Sequence, residues 1–265
     1  MPTAVIMIRK EPYYRRAAFI SGLKRIGYDC TTPRMTDTWI PSGPDDLLVL
    51  WNKKAGLDEK MADIWEERGG TVIVAENAYL QKVDKTRYAI STHGHNGSGW
   101  FPKGNEDRFT PLGFELKDWK AGSSAVEYSL VCGQRSIGSK LMQSPVQWGE
   151  KFCRELAAKN RPFKFRPHPG NFAPKTPLTD DLAKADRCFI WSSSAGVLAL
   201  VEGVFPEHHA PHWICETWLS ETEHVNTTRP RALNHMAHGQ WSIAEIESGE
   251  PFARMKSENW GPRWR

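Results

Sequence analysis

Cysteine is sparse and unpatterned in this 265-residue chain: Cys30, Cys132, Cys153, Cys188 and Cys215 are an odd number, widely spaced, with no C-x-x-C pair. That excludes a disulfide framework and a zinc knuckle, and leaves the reduced thiols expected of a cytoplasmic protein. No run approaches the ~20 apolar residues of a membrane span. Residues 4–8, followed at once by Arg9-Lys10, are too short for the apolar region of a secretory signal. Neither a membrane partner nor export is expected. Low-complexity and collagen-like stretches are also missing, and 40% hydrophobic with 25% charged residues is ordinary globular composition. The length allows one large domain or two small ones, each able to bury a core.

Two features stand against this plain background: a net charge of +4 and twelve tryptophans. The charge is uneven. Residues 1–40 hold seven Lys/Arg against three Asp/Glu, and the last fifteen hold four against one. Both ends would add to one positive face if they meet in space.

Short apolar runs alternate with helix-period segments. Residues 3–8 read as a strand, and Glu11-Pro12 opens a helix ended by Gly27. Residues 47–51 read as a buried strand. Leu57, Met61, Ile64 and Trp65 follow at helical spacing, then strands at 71–75 and 87–91. This rhythm predicts a parallel sheet covered by helices. Residues 93–125 lose periodicity, with six glycines and two prolines, and read as a loop and linker. A second series follows: strands at 128–132, 163–165, 188–191 and 212–215, a helix opened by Ser144-Pro145, and another over 195–202. The tail from Thr228 reads as helical and polar. The expected organisation is α/β, with an N-terminal Rossmann-like domain over 1–122, a second over 123–227 and a helical tail over 228–265 returning to the first. Ligands in such domains sit at the carboxyl ends of the strands.

Three segments follow expected strands of the second half. Gly133, Gln134, Arg135, Ser136, Gly138 and Ser139 offer glycines for close backbone approach, with an arginine and hydroxyls for an anion. The G-x-x-x-x-G-K-[ST] spacing of a P-loop fails there, and a plain strand-to-helix turn is the alternative. Arg166-Pro167-His168-Pro169 fixes the backbone on both sides of a histidine, which presents Arg166 and His168 to a phosphate unless it is simply a solvated loop. Ser192, Ser193 and Ser194 lead into a helix, as an anion site or an ordinary N-cap. Ser193 lacks the upstream glycine of a nucleophile elbow.

In this order the motifs resemble the C-terminal half of GT-B glycosyltransferases of the capsule-polysaccharide and bacterial-sialyltransferase kind. The 133–139 segment is similar to small phage-type glycosyltransferases. The resemblance covers residues 128–215 and reaches the N-terminal half by architecture alone. It implies two Rossmann-like domains facing across a cleft. It also implies a nucleotide-sugar co-substrate, with a UDP-sugar favoured, no tightly bound cofactor, and donor-phosphate contacts from His168, Pro169, Ser192, Ser193 and Ser194. No D-x-D occurs, so no metal is expected and Arg135 and His168 would neutralise the leaving diphosphate. The chain is shorter than most such enzymes, and its tail after Thr228 matches nothing specific.

The N-terminal half would then hold the base and the acceptor. Glu76, His93 and His95 follow expected strands and are candidate bases, with His95 leading. A zinc site at His208, His209, His212 and Cys215 fits no standard spacing. Likeness to phage enzymes, which would place the protein in a host cytoplasm, implies a hydroxymethylated pyrimidine in DNA as acceptor, held by Arg9, Lys10, Arg15, Arg16, Trp100, Arg263 and Trp264, with Trp260 and Arg265 beside them. Trp39 and Trp51 are further candidates, while Trp65 and Trp148 are assigned to the core. A saccharide acceptor is the alternative, since tryptophan faces also serve sugars. A basic DNA-binding protein without enzymatic activity is the alternative of another class.

Overall fold

The structure is a computed structural model and describes residues 1–33, 39–80, 86–120, 125–172, 174–215 and 225–262. In chain order the strands are β1 (Thr3–Ile6), β2 (Asp29–Thr31), β3 (Leu47–Trp51), β4 (Thr71–Asn77), β5 (Arg87–Thr92), β6 (Tyr128–Cys132), β7 (Phe163–Arg166), β8 (Ala185–Ile190), β9 (Phe205–His208) and β10 (Gln240–Ser242). The helices are α1 (Tyr13–Arg25), α2 (Leu57–Glu67), α3 (Trp148–Ala158), α4 (Leu178–Ala183), α5 (Ala195–Val201), α6 (Val225–His238), α7 (Ile243–Ser248) and α8 (Glu250–Ser257). The chain divides into two compact units: Met1–Glu106 with Gly138–Lys140 and His235–Arg265, and Asp107–Ile137 with Leu141–Asn234.

The first unit follows from strands with no polar side to turn outward. Its sheet has the order β10-β5-β4-β3-β1-β2. Alternate residues go to opposite faces. Ala4, Ile6, Leu47, Val49, Ile73 and Ala75 pack with Phe19 and Leu23 of α1, Ile246 of α7 and Phe252 of α8. Val5, Leu48, Leu50, Val72 and Val74 pack with Met61, Ala62 and Trp65 of α2. Both faces are thus covered, which is why these strands read as continuous apolar runs. Helix α1 comes so close to α7 that a Cβ on Gly22 would overlap the Ile246 carbonyl and lie 2.9 Å from the Phe252 ring. Gly22→Ala is expected to cost about 2 kcal/mol by forcing these helices apart, read as a lower midpoint in chemical denaturation.

One expectation fails here. Strand β5 runs antiparallel to β4, with Ile73 opposite Thr92 and Asn77 opposite Tyr88, and β10 runs antiparallel to β5. The first sheet is therefore mixed rather than parallel. Only nine residues separate β4 from β5, too few for the helical crossover that a parallel neighbour needs. The tail is likewise not wholly helical. Gln240-Trp241-Ser242 pairs along the sheet edge, and Trp241 is fully buried in that core.

His235, in the last turn of α6, belongs to this unit. Burial, then Lys103 and His238, lowers its pKa to about 4. An unfolded chain takes up a proton near the ordinary 6.5 that the folded chain refuses until about 4, so acidification through that window destabilises the fold. The loss is at most about 3 kcal/mol. His235→Gln should flatten the fall in melting temperature between these two pH values.

The second unit has a four-stranded sheet, β7-β6-β8-β9, parallel throughout. Helix α3 packs on β6 and β7, and α5 on β8 and β9. Val131, Cys153, Leu156 and Phe189 form one core layer with Trp148, Phe152 and Phe165 against it. Residues 212–215 form no strand, although Trp213, Ile214 and Cys215 are buried. Among the described residues the last strand of this unit is β9, disguised by Pro206, which an edge strand tolerates because it needs no donor on its outer side.

Asp181 of α4 organises the outer side of this sheet. Its buried carboxylate accepts from Lys164 Nζ at 2.7 Å and Thr176 Oγ1 at 3.1 Å, and pairs with Arg166. Burial opposes its ionisation, but hydrogen bonds from Lys164, Arg166 and Thr176 prevail and hold its pKa below the usual carboxylate range. Asp181→Ala leaves a largely buried guanidinium uncompensated and should cost about 3 kcal/mol, measured by urea denaturation at pH 7.

Candidate functional site

Strand order marks one candidate site in the second unit. The chain leaves β6 for β7 on one side and leaves β8 for β9 on the other. The carboxyl ends of β6 and β8 therefore flank a switch point, where the outgoing connections diverge, the place where such sheets form a binding crevice. Gln134 and Ser192, which follow these strands, tie the two loops reciprocally. Gln134 Nε2 donates to Ser192 Oγ at 3.0 Å, and Ser192 N–H donates to Gln134 Oε1 at 3.1 Å. Gly133 N–H donates to the Arg166 carbonyl at 2.8 Å, so the loop after β6 is fixed to the end of β7.

Above this frame lies a cationic group. Arg135 is exposed and has no carboxylate partner among the described residues. Its guanidinium lies over Gly170, where a Cβ would be 2.7 Å from Nη1. His168 is half-buried, and its Nδ1 accepts from Gly170 N–H at 2.9 Å. Burial, then the Arg135 charge, lowers its pKa. The ring is thus neutral at pH 7, with the proton on Nε2 as a donor. Together Arg135 and His168 offer one charge and one neutral donor to an anion.

The remaining donor candidates are distributed differently. Arg166 pairs with Asp181 and donates to the Thr176 carbonyl at 2.8 Å, so it is engaged within the fold. Pro169 is exposed beside His168. Ser136, at φ 53°, is held by Ser144 Oγ at 3.2 Å. Gly138 and Ser139 group with the first unit, where Ala55 N–H donates to the Gly138 carbonyl at 2.7 Å. Ser193 Oγ accepts from Ala195 N–H at 3.1 Å, whereas Ser194 is exposed and its side chain caps nothing.

The first unit repeats the divergence, at β1 and β3. Arg9 and Lys10 follow β1 and are exposed. Arg15 is not free: its guanidinium lies 4.0 Å over the Trp51 ring and donates to the Glu11 carbonyl at 2.9 Å, and burial lowers its pKa. Arg16 is half-buried on α1. Trp100 packs against the core and against Gly261, and Trp260 is buried beside Tyr28. Trp39 packs against the α2 face. Trp260 is thus part of the core, while Trp39 and Trp100 are half-buried against it. Arg263, Trp264 and Arg265 lie outside the described residues.

Of the three base candidates the structure joins two. Glu76, near the carboxyl end of β4, accepts from the Tyr79 hydroxyl, which in turn accepts from Asn96 N–H at 2.9 Å. Burial raises the Glu76 pKa, against the pull of His95, Tyr79 and the Asn96 N–H. His95 is buried, and its Nδ1 has no hydrogen-bond partner among the described residues. The loop holding it needs glycine twice: a Cβ on Gly94 would overlap the Ser98 carbonyl, and one on Gly99 would lie 2.6 Å from the Gly94 carbonyl. His93 belongs elsewhere. Because β5 runs antiparallel, His93 faces Val72 at the amino end of β4, and its Nδ1 meets Glu66 at 3.0 Å while Lys53 Nζ donates to its carbonyl at 2.7 Å. Tyr79 escaped the sequence reading because an aromatic residue after a strand reads as packing. Only its hydroxyl contacts reveal it.

No group of three His, Cys, Asp or Glu side chains suited to a metal occurs among the described residues. His209 packs against Trp148 and Phe152 at 5.2 and 4.7 Å. No helix among those residues is long and apolar enough to cross a membrane.

No protein-family model matches the chain, and no curated protein matches it in sequence. Solved structures do. Thermosulfurimonas dismutans KpsC, beta Kdo 2,4 transferase, aligns with a TM-score of 0.57 at 12% identity, covering 98% of this chain and 98% of that one. The beta Kdo 2,7 transferase of the same KpsC aligns with a TM-score of 0.53 at 11% identity, covering 97% and 100%. At such identities the likeness is one of fold: this chain has a Rossmann-like α/β fold shared with two Kdo transferases.

Proposed function

We propose that the protein is a glycosyltransferase that takes a sugar from a nucleotide-sugar donor and places it on a saccharide hydroxyl. The observation that carries this reading is the switch-point crevice of the second unit, where the Gln134–Ser192 tie fixes two loops beneath Arg135 and His168. That is the arrangement a donor phosphate needs. The Kdo transferases of like fold support the reaction class and favour a saccharide acceptor. They give no support to a DNA acceptor, and neither do Arg15, Trp100 and Trp260, whose side chains are engaged in packing.

In this reading Arg135 neutralises charge on the leaving phosphate, and His168 donates from Nε2 without adding a second charge. The Glu76 carboxylate, steadied by Tyr79 and Asn96, takes the acceptor proton, since a base with a raised pKa accepts it better at neutral pH. No step is assigned to a metal. Transfer requires donor and acceptor edges to reach one substrate pair, which is the GT-B arrangement expected from the motifs. The experiment is incubation with UDP-sugars and nucleotide-activated Kdo, offered with saccharide acceptors or hydroxymethylcytosine and hydroxymethyluracil DNA. Mass spectrometry should find the added sugar on a saccharide. Addition to the nucleoside would restore the DNA acceptor, and failure of every donor to release its nucleotide would remove the transferase reading.

A further inference from the structure

The first unit has a cavity of about 670 Å³ at the edge of its sheet away from the candidate base. Pro2, Pro44, Asp45, Gly69 and Thr71, which line it, lie at or before the amino ends of the parallel strands. Thr71 opens β4 and Glu76 stands five residues further along that strand, so the two are roughly 17 Å apart at strand spacing. The cavity is therefore separate from the Glu76 constellation.

Its polar groups are of mixed sign. Asp45 and Lys256 are exposed, line the same space and have no ion-pair partner among the described residues. Lys256 Nζ stands 5.1 Å over the Tyr28 ring. The Tyr28 hydroxyl is hydrogen-bonded to the Trp260 indole, and burial followed by Asp45 and Asp46 pushes its pKa up to about 12, so it keeps its proton. Thr71, Asn259 and the His93 ring, whose Nδ1 meets Glu66, complete the polar lining. A phosphate would meet Asp45, a cation would meet Lys256, and an apolar ligand would leave the buried Thr71 hydroxyl facing hydrocarbon. A neutral polyol satisfies them all: its hydroxyls donate to the carboxylate and accept from the ammonium and phenol. The volume is within the range of small-molecule sites, roughly 300–1,000 Å³.

We infer that this cavity is a second, non-catalytic sugar-binding site, taking a neutral mono- or disaccharide unit. It deepens the proposed transferase reading by giving the enzyme a hold on saccharide away from the reacting edge. Its test needs no turnover, so it stands or falls apart from that reading. Ligand-observed saturation-transfer NMR on the full chain would use maltose, lactose and N-acetylglucosamine as probes, with glycine and pyrophosphate as zwitterionic and anionic controls. At least one sugar should receive saturation. Its affinity should fall tenfold or more in Asp45→Ala/Lys256→Ala, whose exposed positions spare the fold, and persist in Glu76→Gln. No transfer to any sugar at millimolar concentration would overturn the inference. So would transfer unchanged by the double substitution, loss in Glu76→Gln, or a preference for glycine or pyrophosphate.

Discussion

Glu76→Gln should lower kcat about 100-fold or more while leaving the melting temperature close to that of the parent. Removing a positioned general base typically costs two to four orders of magnitude, and glutamine keeps the shape and can still accept the hydrogen bond from the Tyr79 hydroxyl. The pH profile adds a second reading of the same group. Transfer needs the carboxylate form, so activity should fall as pH drops through the Glu76 pKa. Tyr79 and His95 hold that pKa down against burial. Tyr79→Phe should therefore move the acidic limb of the profile to higher pH, with its ring still packed edge-on to Phe101 at 6.5 Å. A profile that stays in place would show that Tyr79 does not act through Glu76.

Arg135→Ala is the second large effect. A charge-assisted hydrogen bond to a phosphate contributes about 1.5–3 kcal/mol, which corresponds to a rise in donor KM of roughly 10- to 100-fold. Part of the loss should appear in kcat, because the same charge stabilises the leaving group. Arg135 is exposed, so the melting temperature should hold. His168→Ala should raise donor KM less, having removed a neutral donor. Steady-state kinetics with varied donor at saturating acceptor separates the two.

What was legible in the sequence follows from locality. Strands β1, β3, β4, β6 and β8 are apolar runs with turn residues behind them, and their positions were readable to within a few residues. The order of the motifs in the second half was readable too, because each loop follows its strand directly. Direction was not. Only the shortness of the connection after Asn77 hints that β5 reverses, and nothing in the sequence shows that the loop after β5 leaves His93 facing Val72 while His95 lies by Glu76. Nor does sequence show what a side chain meets. Arg166 and His168 look equivalent in Arg-Pro-His-Pro, yet Asp181, fifteen residues beyond Arg166, engages one and leaves the other at the crevice. The tryptophans show the same limit, since Trp100 and Trp260 are distinguished from surface residues only by Gly261 and Tyr28 packed against them.

The central claim is that the switch-point crevice of the second unit binds the donor phosphate. Titration of the isotope-labelled chain with UDP and CMP, followed by NMR, tests it most directly. Saturable shifts are expected at the Arg135 side chain, the His168 ring and the amides of Gly133, Gln134 and Ser192, lost in Arg135→Ala. Shifts confined to the first unit, or none at millimolar nucleotide while sugar transfer proceeds, would contradict it.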